Sequence, residues 1–148
     1  MPGHDAGKKI KGKRRHLLVD TEGFLLLAII HAANIQDRDG GILLMGALPK
    51  EYPLLQKLYA DGGYQGTKFH QALSRIIRKK KVEIVKRSDV ASSSAVLPRR
   101  WMIERTIAWL NRRRRLPKDW ECLNRNALVF LRWASIGLIL KRLCKISK

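Results

Sequence analysis

A chain of 148 residues with 31 Lys or Arg against 12 Asp or Glu carries a formal net charge of +19. With 45% hydrophobic residues it has enough apolar material for one buried core, too much for a chain disordered throughout. No apolar run reaches the roughly 18 to 20 residues that span a bilayer, because 24–33 is too short and Arg132 interrupts 127–140, so no membrane partner is expected.

Residues 1–13 hold Gly3, Gly7 and Gly12 and little apolar content, and read as a basic arm or loop. Residues 15–19 read as a short strand, 20–23 as a turn ending in glycine, and 24–33 as a second strand, together a hairpin. The second strand is apolar at consecutive positions, which predicts burial on both faces and a central place in a layered α/β sheet. Residues 40–48 read as a helix stopped by Pro49, with Asp37 and Asp39 as caps. A strand at 57–60, a helix at 66–80 spaced through Phe69, Leu73, Ile76 and Ile77, and a strand at 82–85 form a βαβ crossover with parallel strands. Residues 87–96 read as a loop, 99–113 as a helix broken at 116–119, and 123–143 as a final helix with Leu128, Leu131, Ser135 and Leu138 on one face. Trp101, Trp109, Trp120 and Trp133 are expected in the core rather than stacked on bases.

The charge is uneven. Residues 1–74 hold 10 basic against 7 acidic side chains, and residues 75–148 hold 21 against 5. Three clusters stand out: six basic residues in 8–15, seven in 75–87 and seven in 99–115. Density of this kind calls for a polyanion with regularly spaced phosphates, so nucleic acid is the expected partner and binding should depend strongly on salt.

Cys122 and Cys144 form no CxxC and have no paired His spacing, so neither a disulfide framework nor a zinc site is encoded. The basic start runs into Asp20 and Glu22 rather than a signal-peptide cleavage site, and a cytoplasmic setting is expected. The histidines at 4, 16, 31 and 70 form no i,i+4 pair and read as structural or surface residues. Ser92 to Ser94 lack a GxSxG turn, and there is no phosphate-binding GxxxxGK[ST] loop.

Among so few acids, Asp61 is the best placed. It ends a strand and precedes Gly62 and Gly63, which puts it at the carboxyl edge of the sheet, where open α/β sheets bind ligands; the bland alternative is a turn or cap aspartate. Glu104 is the second. On a helix whose apolar stripe runs Ile103, Ile107, Leu110, it lies about 100° from Ile103 and about 60° from Ile107, bordering the buried face. Arg100 lies four residues earlier on the same side, where it can pair with Glu104 as an ordinary surface ion pair or hold a phosphate beside it. Two carboxylates converging on one edge, amid basic clusters, point to divalent metal ions acting on phosphodiesters.

The segments Asp5-Ala6-Gly7-Lys8-Lys9-Ile10-Lys11-Gly12-Lys13-Arg14-Arg15-His16, Val19-Asp20-Thr21-Glu22-Gly23, Ala60-Asp61-Gly62-Gly63-Tyr64, Glu83-Ile84-Val85-Lys86-Arg87 and Leu97-Pro98-Arg99-Arg100-Trp101-Met102-Ile103-Glu104-Arg105-Thr106 resemble bacterial insertion-sequence transposases of the DDE type, in the group typified by insertion sequence 5. The resemblance implies an α/β, RNase H-like fold with a mixed sheet and flanking helices. It implies that Asp61 is the second catalytic aspartate and Glu104 the catalytic glutamate, that both hold Mg2+ or Mn2+, and that Arg100 is the arginine four residues before that glutamate. Two positions depart from the family pattern: Leu97 replaces a tyrosine and Asn111 a lysine.

The family's first catalytic aspartate lies on a strand preceding the segment that starts at Asp5. Residues 1–148 are therefore expected to be the C-terminal part of the catalytic domain, with a hairpin edge left unpaired, weak or no activity alone, and an upstream polypeptide as partner. DNA, as transposon ends and target, is the other partner, with Lys8, Lys9, Lys11, Lys13, Arg14, Arg100, Arg112 and Arg113 as binding residues and a homo-oligomer as a possible assembly. The alternative is a basic nucleic-acid-binding protein without catalysis, in which Asp61 and Glu104 are structural; a cellular RNase H-like nuclease, without preference for transposon ends, is the third reading.

Overall fold

In the computed structural model the described residues are 3–5, 10–64, 66–76, 81–85, 101–118 and 120–146. They form β1 (Gly3–Asp5), β2 (Ile10–Val19), β3 (Leu25–Ala32), α1 (Asp37–Glu51), β4 (Lys57–Asp61), α2 (Thr67–Ile76), β5 (Lys81–Val85), α3 (Trp101–Asn111) and α4 (Asn124–Ile146). This is the mixed α/β composition the sequence implies. Among the described residues the strands make two sheets, an antiparallel β1-β2-β3 and a parallel β4-β5, rather than the one mixed sheet expected. The chain divides into two units, one of residues 1–35 and 102–148, the other of residues 36–101.

The first unit is built on the β2–β3 hairpin. Its turn is held by Asp20, whose Oδ1 accepts from the Glu22 N–H at 2.9 Å and the Phe24 N–H at 2.8 Å, while Gly23 takes the positive φ of +83° that a side chain would resist. Asp20 is thus a turn former, as its position suggested. The 1–13 segment is not simply an arm. β2 begins at Ile10, and β1 pairs with it at Gly3↔Gly12, His4↔Lys11 and Asp5↔Ile10, because alternation of small and basic residues tolerates an edge strand. Among the described residues this pairing stops at Gly12, so the hairpin edge expected to be bare is covered at one end of β2.

One face of the hairpin carries Leu17, Leu25, Ala28 and Ile30 against Leu110 of α3, Leu116 of the following turn, and Ala127, Leu131 and Ala134 of α4. The face of α4 read from sequence is the one that packs: Leu131 and Ser135 are buried, Leu128 and Leu138 half-buried. The opposite stripe of α4, Val129, Trp133, Ile136, Leu140 and Leu143, is exposed. Trp101 and Trp120 are exposed as well, which corrects their expected core placement: Trp101 lies off the single stripe of α3 that is buried, and Trp120 lies in the connection between α3 and α4. Side chains from β2 hold the α3–α4 connection: Arg15 Nη2 donates to the Leu116 carbonyl at 2.6 Å and Lys13 Nζ to the Glu121 carbonyl.

The second unit contains the βαβ crossover as expected, with β4 and β5 parallel in the register Lys57↔Lys81 to Asp61↔Val85. Its buried side chains are Leu44, Met45 and Leu48 of α1, Leu58 of β4, and Phe69 and Leu73 of α2. Two boundaries of α1 differ from expectation. Gln36 is the N-cap, with Asp37 and Asp39 in the first turn, where carboxylates favour the positive end of the helix. The helix passes Pro49 to Glu51, because the proline removes one N–H near the end and the Tyr52 N–H still closes on the Leu48 carbonyl at 2.8 Å. The loop read at 87–96 and the helix start at 99–100 lie outside the described residues. No helix among the described residues is long and apolar enough to cross a membrane.

Candidate catalytic carboxylates and basic surfaces

Asp61 is the last residue of β4, at the carboxyl end of the parallel pair, where its side chain is exposed. It shapes its own turn: Oδ1 accepts from the Gly62 N–H at 2.7 Å, and its carbonyl accepts from the Tyr64 N–H at 2.9 Å. Gly63 carries no side chain where α1 approaches, for a Cβ there would lie 3.4 Å from Asp37 Oδ2. Asp37, read from sequence as a cap, is therefore a second carboxylate against the same turn. Only the approach of α1 to that turn reveals it. The Tyr64 ring lies against Gly41 of α1, whose Cβ, if present, would be 2.6 Å from the ring.

Glu104 sits in the first turn of α3 and is exposed. The buried stripe of α3 is not Ile103, Ile107, Leu110. Thr106 and Leu110 are buried, Met102 and Trp109 half-buried, and Ile103 and Ile107 exposed at 37% and 39%. At about 100° per residue Glu104 lies about 160° from Thr106, on the side of the helix away from the core rather than bordering it. Thr106 explains the rotation: its hydroxyl lies 2.7 Å from the Gly23 carbonyl and 2.9 Å from that of Met102, docking α3 on the hairpin turn. A polar residue therefore faces inward, and a count of apolar positions alone puts the inward face in the wrong place.

Asp61 and Glu104 belong to different units. Each offers carboxylate oxygens open to solvent, the hard donors suited to a small divalent cation that keeps several waters. Among the described residues no group of three or more His, Cys, Asp or Glu side chains could hold a metal ion.

The predicted DNA-binding residues divide. Lys8, Lys9 and Arg100, and the Lys11 side chain, lie outside what is described. Lys13 and Arg14 are half-buried and bind carbonyls of the fold, Arg14 Nη1 donating to Ile35 O at 3.0 Å. Arg112 and Arg113 are exposed just beyond the end of α3. His16 and His31, unpaired by sequence spacing, stack at 4.6 Å between ring centroids, because the antiparallel register makes them diagonal neighbours on one sheet face. Cys122 and Cys144 are free and exposed.

Comparison with known proteins adds to this geometry. The family described as the transposase DDE domain matches residues 1–136. A Burkholderia cepacia protein named "Putative transposase for insertion sequence element IS402" is 32% identical over 113 residues, covering 71% of this chain and 52% of that protein. The chain thus spans about half the length of the curated relative it matches. No solved structure matches it.

Proposed function

The chain belongs to the transposase DDE domain family, from which we propose that it acts in DNA transposition, by metal-dependent phosphodiester cleavage and strand transfer at transposon ends and target DNA. Domains of this family are generally dependent on divalent metal ions. In this reading the fold is RNase H-like, Asp61 and Glu104 are the catalytic carboxylates, and the ion they hold is Mg2+ or Mn2+. When bound, such an ion supplies Lewis-acid stabilisation of charge on the attacking and leaving oxygens. The chain's own contribution is to present carboxylate oxygens at the end of β4 and on the outward side of α3, and to draw the polyanion in with its basic side chains. A second copy of the chain is a partner of the working form.

The observation that carries the proposal is the position of Asp61. It ends a strand of a parallel βαβ unit, directly before two glycines, inside the segment the family matches. Binding of Mn2+, followed by loss of the free-ion signal in electron paramagnetic resonance, tests it without requiring turnover. Asp61→Asn and Glu104→Gln are each expected to weaken Mn2+ binding at least tenfold. A parent chain that binds no Mn2+ at millimolar concentration, or variants that bind as the parent does, would leave the alternative of a basic nucleic-acid-binding protein without catalysis.

A further inference from the structure

A second charged feature lies wholly within the first unit. The turn after α3 and the C-terminal half of α4 enclose a cleft of about 420 Å³. Five cations line it, Arg112, Arg113, Lys141, Arg142 and Lys145, and among the described residues no carboxylate does. The arrangement follows from local structure. Lys141 and Lys145 are one helical turn apart on α4, and Arg112 and Arg113 follow the last residue of α3, where the negative end of that helix favours positive charge. Gly137 allows the close approach, since a Cβ there would lie 3.0 Å from Arg113 Nη2.

Only one of the five is fixed by the fold. Arg142 Nη1 donates to the Glu22 carbonyl at 3.0 Å, and its guanidinium lies over the rings of Phe24 and Trp109 at 4.6 and 4.5 Å. The other four are exposed, with no side-chain hydrogen bond or ion pair among the described residues. Four such cations in one cleft repel one another, a cost that the end of α3 offsets in part for Arg112 and Arg113 alone, and an anion with several charges accounts for the cluster as a whole. The cleft reads backbone rather than bases. Its aromatic residue, Trp109, already carries the guanidinium groups of Arg105 and Arg142 over its ring, at 4.6 and 4.5 Å, and these compete with a base for stacking. Lys141 and Lys145 stand about 6 Å apart along the helix axis, a length over which one strand of a duplex presents about two phosphates.

We propose that this cleft holds the phosphodiester backbone of duplex DNA, at a place lined by neither Asp61 nor Glu104. The choice of DNA as occupant rests on the transposase reading above; the anion site itself rests on the charge and its lack of internal partners.

The test is binding of a duplex of arbitrary sequence, measured against salt concentration in the presence of EDTA, so that no catalytic metal takes part. The variant Arg113→Gln/Lys141→Gln/Lys145→Gln is compared with Lys68→Gln/Arg75→Gln/Arg125→Gln, which removes equal charge at exposed positions elsewhere. The cleft variant should lower the slope of log K against log salt by between about two and three, at about 0.9 per phosphate, and weaken binding on the order of 10²-fold at 0.1 M salt. The control should change far less. Lys141→Gln/Lys145→Gln, which leaves α3 and its turn untouched, should show about two thirds of the effect. Equal losses in cleft and control variants would mean diffuse attraction and overturn the proposal. So would competition by inorganic phosphate beyond that of chloride at equal ionic strength, which would mark a small-anion site. Dependence of duplex RNA but not duplex DNA on these residues would also overturn it. Because EDTA is present, failure here leaves the roles of Asp61 and Glu104 standing, and failure of Mn2+ binding leaves the cleft standing.

Discussion

Gly41 and Gly46 lie five residues apart in α1, and the same substitution should act on them with opposite sign. Glycine within a helix is less favourable than alanine by about 0.8–1.0 kcal/mol, so on propensity alone either change stabilises. At Gly46 nothing lies within 4 Å of the new Cβ, and the full gain of about 1 kcal/mol is expected. At Gly41 the Cβ would meet Tyr64 Cδ1 at 2.6 Å, Tyr64 Cε1 at 2.7 Å and Phe69 Cε2 at 3.1 Å. Neither ring moves freely: Phe69 is 1% exposed, and the two centroids are 5.9 Å apart. Overpacking of this kind costs about 1–3 kcal/mol, which offsets or exceeds the propensity gain. The two variants should therefore differ by about 1–3 kcal/mol, with Gly46→Ala above the parent and Gly41→Ala at or below it. Urea unfolding followed by far-ultraviolet circular dichroism measures both, with equal m-values confirming that the unfolded state is unchanged. Because Tyr64 belongs to the Asp61 turn, Gly41→Ala should also weaken Mn2+ binding while Gly46→Ala leaves it intact. A Gly41→Ala protein as stable as Gly46→Ala, with unchanged Mn2+ binding, would refute the packing of α1 against that turn.

Gly23→Ala should destabilise the first unit by about 1–3 kcal/mol, since alanine resists positive φ, and the new Cβ would stand 3.0 Å from the buried Thr106 hydroxyl. Thermal unfolding within about 0.5 kcal/mol of the parent, the range of an ordinary surface change, would show that α3 does not dock on the hairpin turn. Leu131→Ala, at a position 1% exposed in the core of the same unit, should cost about 2–5 kcal/mol. Leu140→Ala, on the exposed stripe of α4 at 54%, should cost less than about 1 kcal/mol in the same urea titration, and equal losses would mean that the two faces of α4 are assigned the wrong way round.

The hairpin around Asp20 and Gly23, the parallel βαβ unit whose first strand runs into Asp61-Gly62-Gly63, and the packed face of α4 are legible in the sequence because they rest on local signals: turn residues, glycines and hydrophobic spacing. Each is decided within a few residues of chain. The family, too, is carried by short ordered motifs. What sequence alone does not decide is what depends on partners distant in the chain. The rotation of α3 departs from its apolar spacing because a buried Thr106, hydrogen-bonded to a turn 83 residues away, outweighs two isoleucines that remain exposed. The length of β2 exceeds its apolar run because residues 10–12 pair with β1 and Lys13 and Arg14 pair with β3. Lys13 and Arg14 resemble free cations in the sequence, yet the fold brings carbonyls to them, whereas Lys141 and Lys145 are unremarkable until α3 and α4 enclose them with Arg112 and Arg113. Charge is written in the sequence, but whether a charge is used within the fold or left for a ligand depends on which backbone atoms lie beside it, and only tertiary packing fixes that.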